Sequence, residues 1–120
     1  MTLSPDERFL AFICYQNNPD FHHLVVWNLV RGRMEFESPR QPGGVWGTIH
    51  WSRDSRTLAW VANMDSGVYV WRFDKREKPR IHHIVAPGYE CAAAFYPDNQ
   101  RLLIGDDNGV RTLSLSQLFP

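Results

Sequence analysis

The 120-residue sequence predicts an all-β chain of repeated four-stranded antiparallel units. Three observations carry that expectation. Short runs rich in β-branched and aromatic residues recur along the chain, and no stretch sustains a helical period with caps. The run Ser4-Pro5-Asp6-Glu7-Arg8-Phe9-Leu10-Ala11-Phe12 returns as Ser52-Arg53-Asp54-Ser55-Arg56-Thr57-Leu58-Ala59-Trp60 and as Tyr96-Pro97-Asp98-Asn99-Gln100-Arg101-Leu102-Leu103-Ile104. In step with it, Val26-Trp27 returns as Val70-Trp71 and then Thr112-Leu113.

The first landmark repeats after 48 and 44 residues, the second after 44 and 42. One loop absorbs the difference: Phe12 to Trp27 is 15 residues, Trp60 to Trp71 is 11, and Ile104 to Leu113 is 9. The first unit, about 1–38, begins with Met1-Thr2-Leu3, a remnant of an inner strand. It continues through the apolar runs Phe9 to Cys14 and Leu24 to Trp27. The second unit, about 45–86, reads as strands over Trp46 to Trp51, Thr57 to Ala62, Gly67 to Phe73 and Arg80 to Val85. The third, about 90–115, lacks its outer strand, because Ser116 to Pro120 is too short to make one. Ser-x-Asp is tight-turn chemistry, since both side chains can bond the backbone of the turn they start. Ser66-Gly67 and Asn108-Gly109 suit the next hairpin, which needs a residue with φ > 0.

A period of 40 to 45 residues with four strands each resembles the WD-repeat β-propeller family. The middle unit carries the resemblance: Asp65-Ser66-Gly67-Val68-Tyr69-Val70-Trp71 has the family's Asp, alternating apolar positions and Trp six residues after the Asp. Asp6, Trp27, Asp54, Asp65, Trp71 and Asp98 are the structural repeat positions. The Gly-His pair of the family is missing near Pro42 and Ala86. Ala62 and Asn63 stand where a Ser or Thr would complete its buried polar network, and Leu113 replaces the third Trp. Propellers of the TolB and prolyl-oligopeptidase type share the Ser-Pro-Asp pattern.

The resemblance implies blades, and about 2.7 of them, whereas a closed propeller has typically 4 to 8. The expectation is the C-terminal part of a larger propeller, an incomplete ring. Its remaining blades come from the same longer chain or from self-association that closes the ring. Exposed blade faces and unpaired edges at either end should make the isolated chain prone to association.

Thirteen basic and thirteen acidic residues cancel, with no Lys/Arg-rich run, which argues against a nucleic-acid partner. No apolar run is long enough to span a membrane, and the first residues lack a signal-peptide pattern, so the expected location is cytoplasmic. Cys14 and Cys91 sit in apolar runs and read as buried free thiols. His22-His23 and His82-His83 point to opposite faces of their strands and His50 stands alone, so no metal site is expected. No phosphate loop, nucleophile elbow or Cys-His pair is present, and Asp106-Asp107 reads as a turn former. No cofactor is expected and the chain reads as non-catalytic.

In a propeller, the loops entering each inner strand and those joining the second to the third strand share one face, usually the recognition face. Here they are Ser38 to Val45 and Ala86 to Glu90, then Tyr15 to His23, Asn63 to Ser66 and Gly105 to Asn108. The expected role is a protein-interaction scaffold, with Tyr15, Asn17, Asn18, Phe21, Trp46, Tyr89 and Asp106 as candidate partner-binding residues. The alternative is the propeller part of a multidomain hydrolase or sensor kinase whose catalytic domain is absent from this chain.

Overall fold

A computed structural model of the chain describes residues 1–15, 21–38, 41–42, 47–62, 67–73, 79–86 and 91–120. The described residues form three antiparallel sheets in sequence order. The first holds β1 (Thr2–Leu3), β2 (Phe9–Tyr15), β3 (Phe21–Asn28) and β4 (Arg33–Glu37), with β5 (Gln41–Pro42) also paired to β3. The second is the meander β6 (Gly47–Trp51), β7 (Thr57–Ala62), β8 (Gly67–Arg72) and β9 (Arg80–Ile84). The third is β10 (Ala92–Phe95), β11 (Arg101–Asp106) and β12 (Gly109–Ser114), and α1 (Leu115–Leu118) follows it. The fold is all-β, with blade-like sheets that do not close a ring.

The repeat seen in the sequence is a repeat of hydrogen bonds. Ser4 Oγ donates to Asp6 Oδ1 (2.7 Å) and accepts the Phe9 N–H, while Asp6 Oδ1 accepts the Arg8 N–H. Ser52 and Asp54 make the same three bonds with each other, Thr57 and Arg56. In the third sheet Tyr96 has no short hydroxyl, yet Asp98 Oδ1 still accepts the Gln100 N–H. Each turn passes through a left-handed residue: Glu7 (φ 62), Ser55 (φ 62) and Asn99 (φ 59). Cross-strand register matches as well, pairing Leu10 with Trp27, Leu58 with Trp71 and Leu102 with Leu113.

The sheets stack face to face because their alternating apolar positions have nowhere else to go. Ala11, Leu24 and Val26 of the first sheet meet Leu58, Trp60 and Trp71 of the second in one buried cluster. Aromatic rings fill its rim, with Phe9 stacked 6.2 Å from Trp51 and Phe36 edge-on to Phe73 at 5.9 Å. The other side of the second sheet, including Ala59, Val61, Val68 and Val70, packs on Leu102 and Ile104 of the third. Each seam also carries one polar stitch between turns: the Asp6 N–H donates to Ser55 Oγ (3.1 Å), and the Asp54 N–H to Asn99 Oδ1 (2.9 Å).

Two details depart from expectation, and a third adds to it. Ser38 to Val45 was expected to be loop, but Ser38 is buried with its hydroxyl accepting the Leu24 N–H (2.8 Å), and Gln41–Pro42 lengthens the outer edge of the first sheet. Cys14 and Cys91 form no disulfide, and both are half-buried rather than buried; the Cys91 thiol donates to the Ala86 carbonyl at 3.0 Å. The residues after β12, too few for an outer strand, turn into α1. Leu115 and Phe119 are thereby buried beside the second sheet, with the Arg80 guanidinium 5.5 Å over the Phe119 ring.

Candidate functional site

Antiparallel pairing sends alternate connections to opposite edges of each sheet. The turns at Ser4, Ser52 and Tyr96 mark one edge. The opposite, loop-bearing edge is marked by the pairs Tyr15 with His22, Gly47 with Ala62, Ala62 with Gly67, and Asp106 with Gly109. Tyr15 and Phe21 therefore end and begin strands at this edge. Asn17, Asn18, Trp46, Asp65 and Tyr89 lie outside the described residues.

Within the described residues the loop edge holds an open cleft of about 350 Å³ lined by Val85, Asp106, Asn108, Gly109, Val110 and Arg111. It straddles the seam between the second and third sheets. Arg111 bridges that seam, its Nη2 donating to the Val85 carbonyl, and Nη2 lies 3.8 Å from Asp106 Oδ2. Asp106 also accepts the Asn108 N–H at 2.8 Å, and its side chain is only 5% exposed. This carboxylate thus holds its own hairpin, while the exposed surface at the cleft is mixed: Val85 and Val110, 71% and 72% exposed, stand beside exposed Asn108 and Arg111. Gly109, at φ 116, makes the tight return that sets Val110 beside Arg111.

A second, larger cleft of about 560 Å³ opens at the turn edge, where β1, β6 and β10 come together. Leu3, Ile49, His50, Trp51, Arg53 and Tyr96 are among its walls. The Trp51 indole N–H reaches the Thr2 carbonyl at 3.4 Å and so ties the first two sheets together here. Burial pushes the His50 imidazole below its ordinary pKa, which favours the neutral ring, and its Nε2 lies 3.0 Å from Thr48 Oγ1. The other described histidines are dispersed. His23 is buried with Nε2 2.8 Å from Glu37 Oε1, and His83 stacks on Tyr69 at 4.3 Å while His82 faces Phe119. Among the described residues no group of three or more His, Cys, Asp or Glu side chains could hold a metal ion. No helix among them is long and apolar enough to cross a membrane.

Sequence reasoning passed over the turn-edge cleft and the stitching role of the left-handed residue. The signal for the stitch is the position directly after each repeated Asp, occupied by Glu7, Ser55 and Asn99, all able to accept a hydrogen bond. No protein-family model matches the chain, and no curated protein matches it.

The turns make one acid-dependent contribution. Burial pushes Asp6 upward, but bonds from the Ser4 hydroxyl, the Arg8 N–H and the Ser55 hydroxyl, together with the Arg8 charge, hold it below its ordinary value. Asp98 is held low by the Gln100 N–H, against slight desolvation, and by the Arg101 side chain. A carboxylate whose folded pKa is depressed stabilises the fold above its unfolded value and loses that contribution as pH falls through the folded one. Urea midpoints are therefore expected to fall below about pH 4. The fall should be shallower for Asp6→Asn than for the wild type; an identical acid slope would show that Asp6 carries none of it.

Proposed function

We propose that this chain is a non-catalytic protein-interaction platform, part of a larger propeller of the WD-repeat type working in the cytoplasm. The observation that carries the reading is the stacking of three in-register sheets through apolar seams, which makes a rigid support for the loops at one edge. Two further features support it. At the loop-edge cleft, Asp106 and Arg111 are engaged in holding the hairpin and the seam, and the exposed Val85 and Val110 sit among polar groups. Apolar surface rimmed by polar groups is what protein partners bury. The outward faces of the first and third sheets also remain uncovered, as in a ring that needs further blades.

The test is affinity capture with the wild-type chain and with Trp46→Ala, Tyr89→Ala and Val110→Asp, alongside melting temperatures. The expected result is loss of the captured partner with melting unchanged. Unchanged capture in all three variants, or loss that tracks lower melting, would remove the loop edge as the binding surface.

A further inference from the structure

The outward face of the first sheet is the counterpart of faces that are covered in the second and third sheets. Residues at matching repeat positions can be compared directly, because the Leu29, Phe73 and Leu115 N–H groups each donate to the corresponding carbonyl, of Arg8, Arg56 and Gln100. Leu3, Trp27 and Leu29 correspond to Trp51, Trp71 and Phe73 of the second sheet and to Phe95, Leu113 and Leu115 of the third. All six counterparts pack into seams. Leu3, Trp27 and Leu29 are instead 46%, 37% and 44% exposed. Behind them, Leu10 and Phe12 hold the places of the fully buried Leu58 and Trp60. This face has the design of a surface that receives another blade.

The outward face of the third sheet has features that fit it. At each existing seam a large residue of one sheet meets a small one of the preceding sheet: Trp60 shares its cluster with Ala11, and Ile104 with Ala59. The uncovered pair in the same positions is Phe12 and Leu103, an aromatic and an aliphatic side chain that each lack a facing partner. Ala92, Ala94 and Val110 lie exposed around Leu103. The polar stitch is also half-built at both ends. The Asp98 N–H, counterpart of the Asp6 and Asp54 donors, has no protein acceptor among the described residues. The Glu7 side chain, counterpart of the acceptors Ser55 and Asn99, has no hydrogen bond or ion pair among the described residues, while the Glu7 N–H donates to the Ser4 carbonyl. At this free stitch the acceptor is a carboxylate, and the donor turn carries a cation, Arg101, whose Nε bonds Asp98 Oδ2 at 2.7 Å.

We propose that the 120-residue chain associates head to tail with a second copy of itself. The third sheet of one copy covers Leu3, Phe12, Trp27 and Leu29 of the next, and the Asp98 N–H of the first donates to Glu7 of the second. Such a contact is heterologous, so each copy keeps one face free until a ring closes.

Sedimentation velocity and light scattering over a concentration series test it. The wild type is expected to show masses above 14.0 kDa that grow with concentration. Trp27→Glu and Leu103→Glu should each remain at 14.0 kDa with unchanged circular dichroism, and their equimolar mixture should form a species of twice that mass, because each retains the face the other lacks. Glu7→Ala should weaken wild-type association about tenfold, the scale of a hydrogen bond to a charged acceptor. If either charge variant misfolds, Leu29→Glu or Thr112→Glu, on the same two faces, replaces it. A wild type that stays monomeric throughout overturns the proposal, and so does failure of the two monomeric variants to combine, which would indicate a symmetric contact. Neither result bears on the loop-edge platform as read at Trp46 and Tyr89; Val110 borders both surfaces and does not separate them.

Discussion

Trp71→Ala is expected to lower the unfolding free energy by about 3–5 kcal/mol, the range for removing a large aromatic from a packed core. Trp71 is fully buried, and its ring lies 6.2 Å from Trp60 and 5.9 Å from Tyr69 within its own sheet and 6.2 Å from Phe36 across the seam. Truncation leaves a cavity bounded by two sheets, which cannot both collapse into it without breaking the stitch between Asp6 and Ser55. Trp71→Phe should cost far less, about 1 kcal/mol, as a change that keeps a ring in the seam. It also removes an indole N–H that has no acceptor among the described residues. Trp27 occupies the same repeat position at the same register but is 37% exposed. At low protein concentration Trp27→Ala should therefore cost below about 2 kcal/mol. Equal losses for Trp27→Ala and Trp71→Ala in urea titrations would contradict the assignment of inner and outer sheet faces.

Gly67→Ala is the second large effect. Gly67 opens β8 at φ 84, and a Cβ there would clash with the Ile84 carbonyl oxygen on the neighbouring strand. Left-handed backbone with a side chain costs about 1–2 kcal/mol by itself. The clash is with backbone, which can yield only by opening the pairing of β8 with β9. The total is expected to exceed about 3 kcal/mol, with the loss centred on the second sheet. Gly32→Ala is the matched control: its φ is 65, yet nothing lies within 4 Å of the added Cβ, so only the conformational cost of about 1 kcal/mol remains. Thermal melts of the two variants check the difference, and similar melting temperatures would show that the Ile84 contact yields freely.

Much of the architecture was legible because its strongest signal is local. Ser4-Pro5-Asp6 and Ser52-Arg53-Asp54 announce a turn whose hydrogen bonds all close within five residues, and the apolar alternation on either side follows from strand geometry. What depends on a neighbouring sheet was less legible. Trp27 and Trp71 are alike in sequence and differ in burial only because one sheet has another in front of it. The short α1 has no helical period to read in four residues; it exists because Leu115 and Phe119 have a seam to fill. Gln41–Pro42 pairs with β3 because Ser38 anchors the chain back to Leu24, a side-chain bond with no periodic signature. For the candidate site, the loop edge follows from strand direction. The turn of Asp106 into its own hairpin follows instead from Arg111 and Asn108 lying within reach.

Face-to-face stacking of in-register sheets underlies both the platform and the association proposed for it. A nuclear Overhauser experiment on the aromatic protons tests it most directly, in a monomeric variant such as Leu103→Glu. Cross-peaks are predicted from Phe9 to Trp51 and Phe73, and from Phe36 to Trp71 and Phe73, pairs whose ring centroids lie 5.9–6.5 Å apart across the first seam. Cross-peaks confined to pairs within one sheet, such as Trp60 with Tyr69, would mean that the sheets form without stacking and would contradict the account.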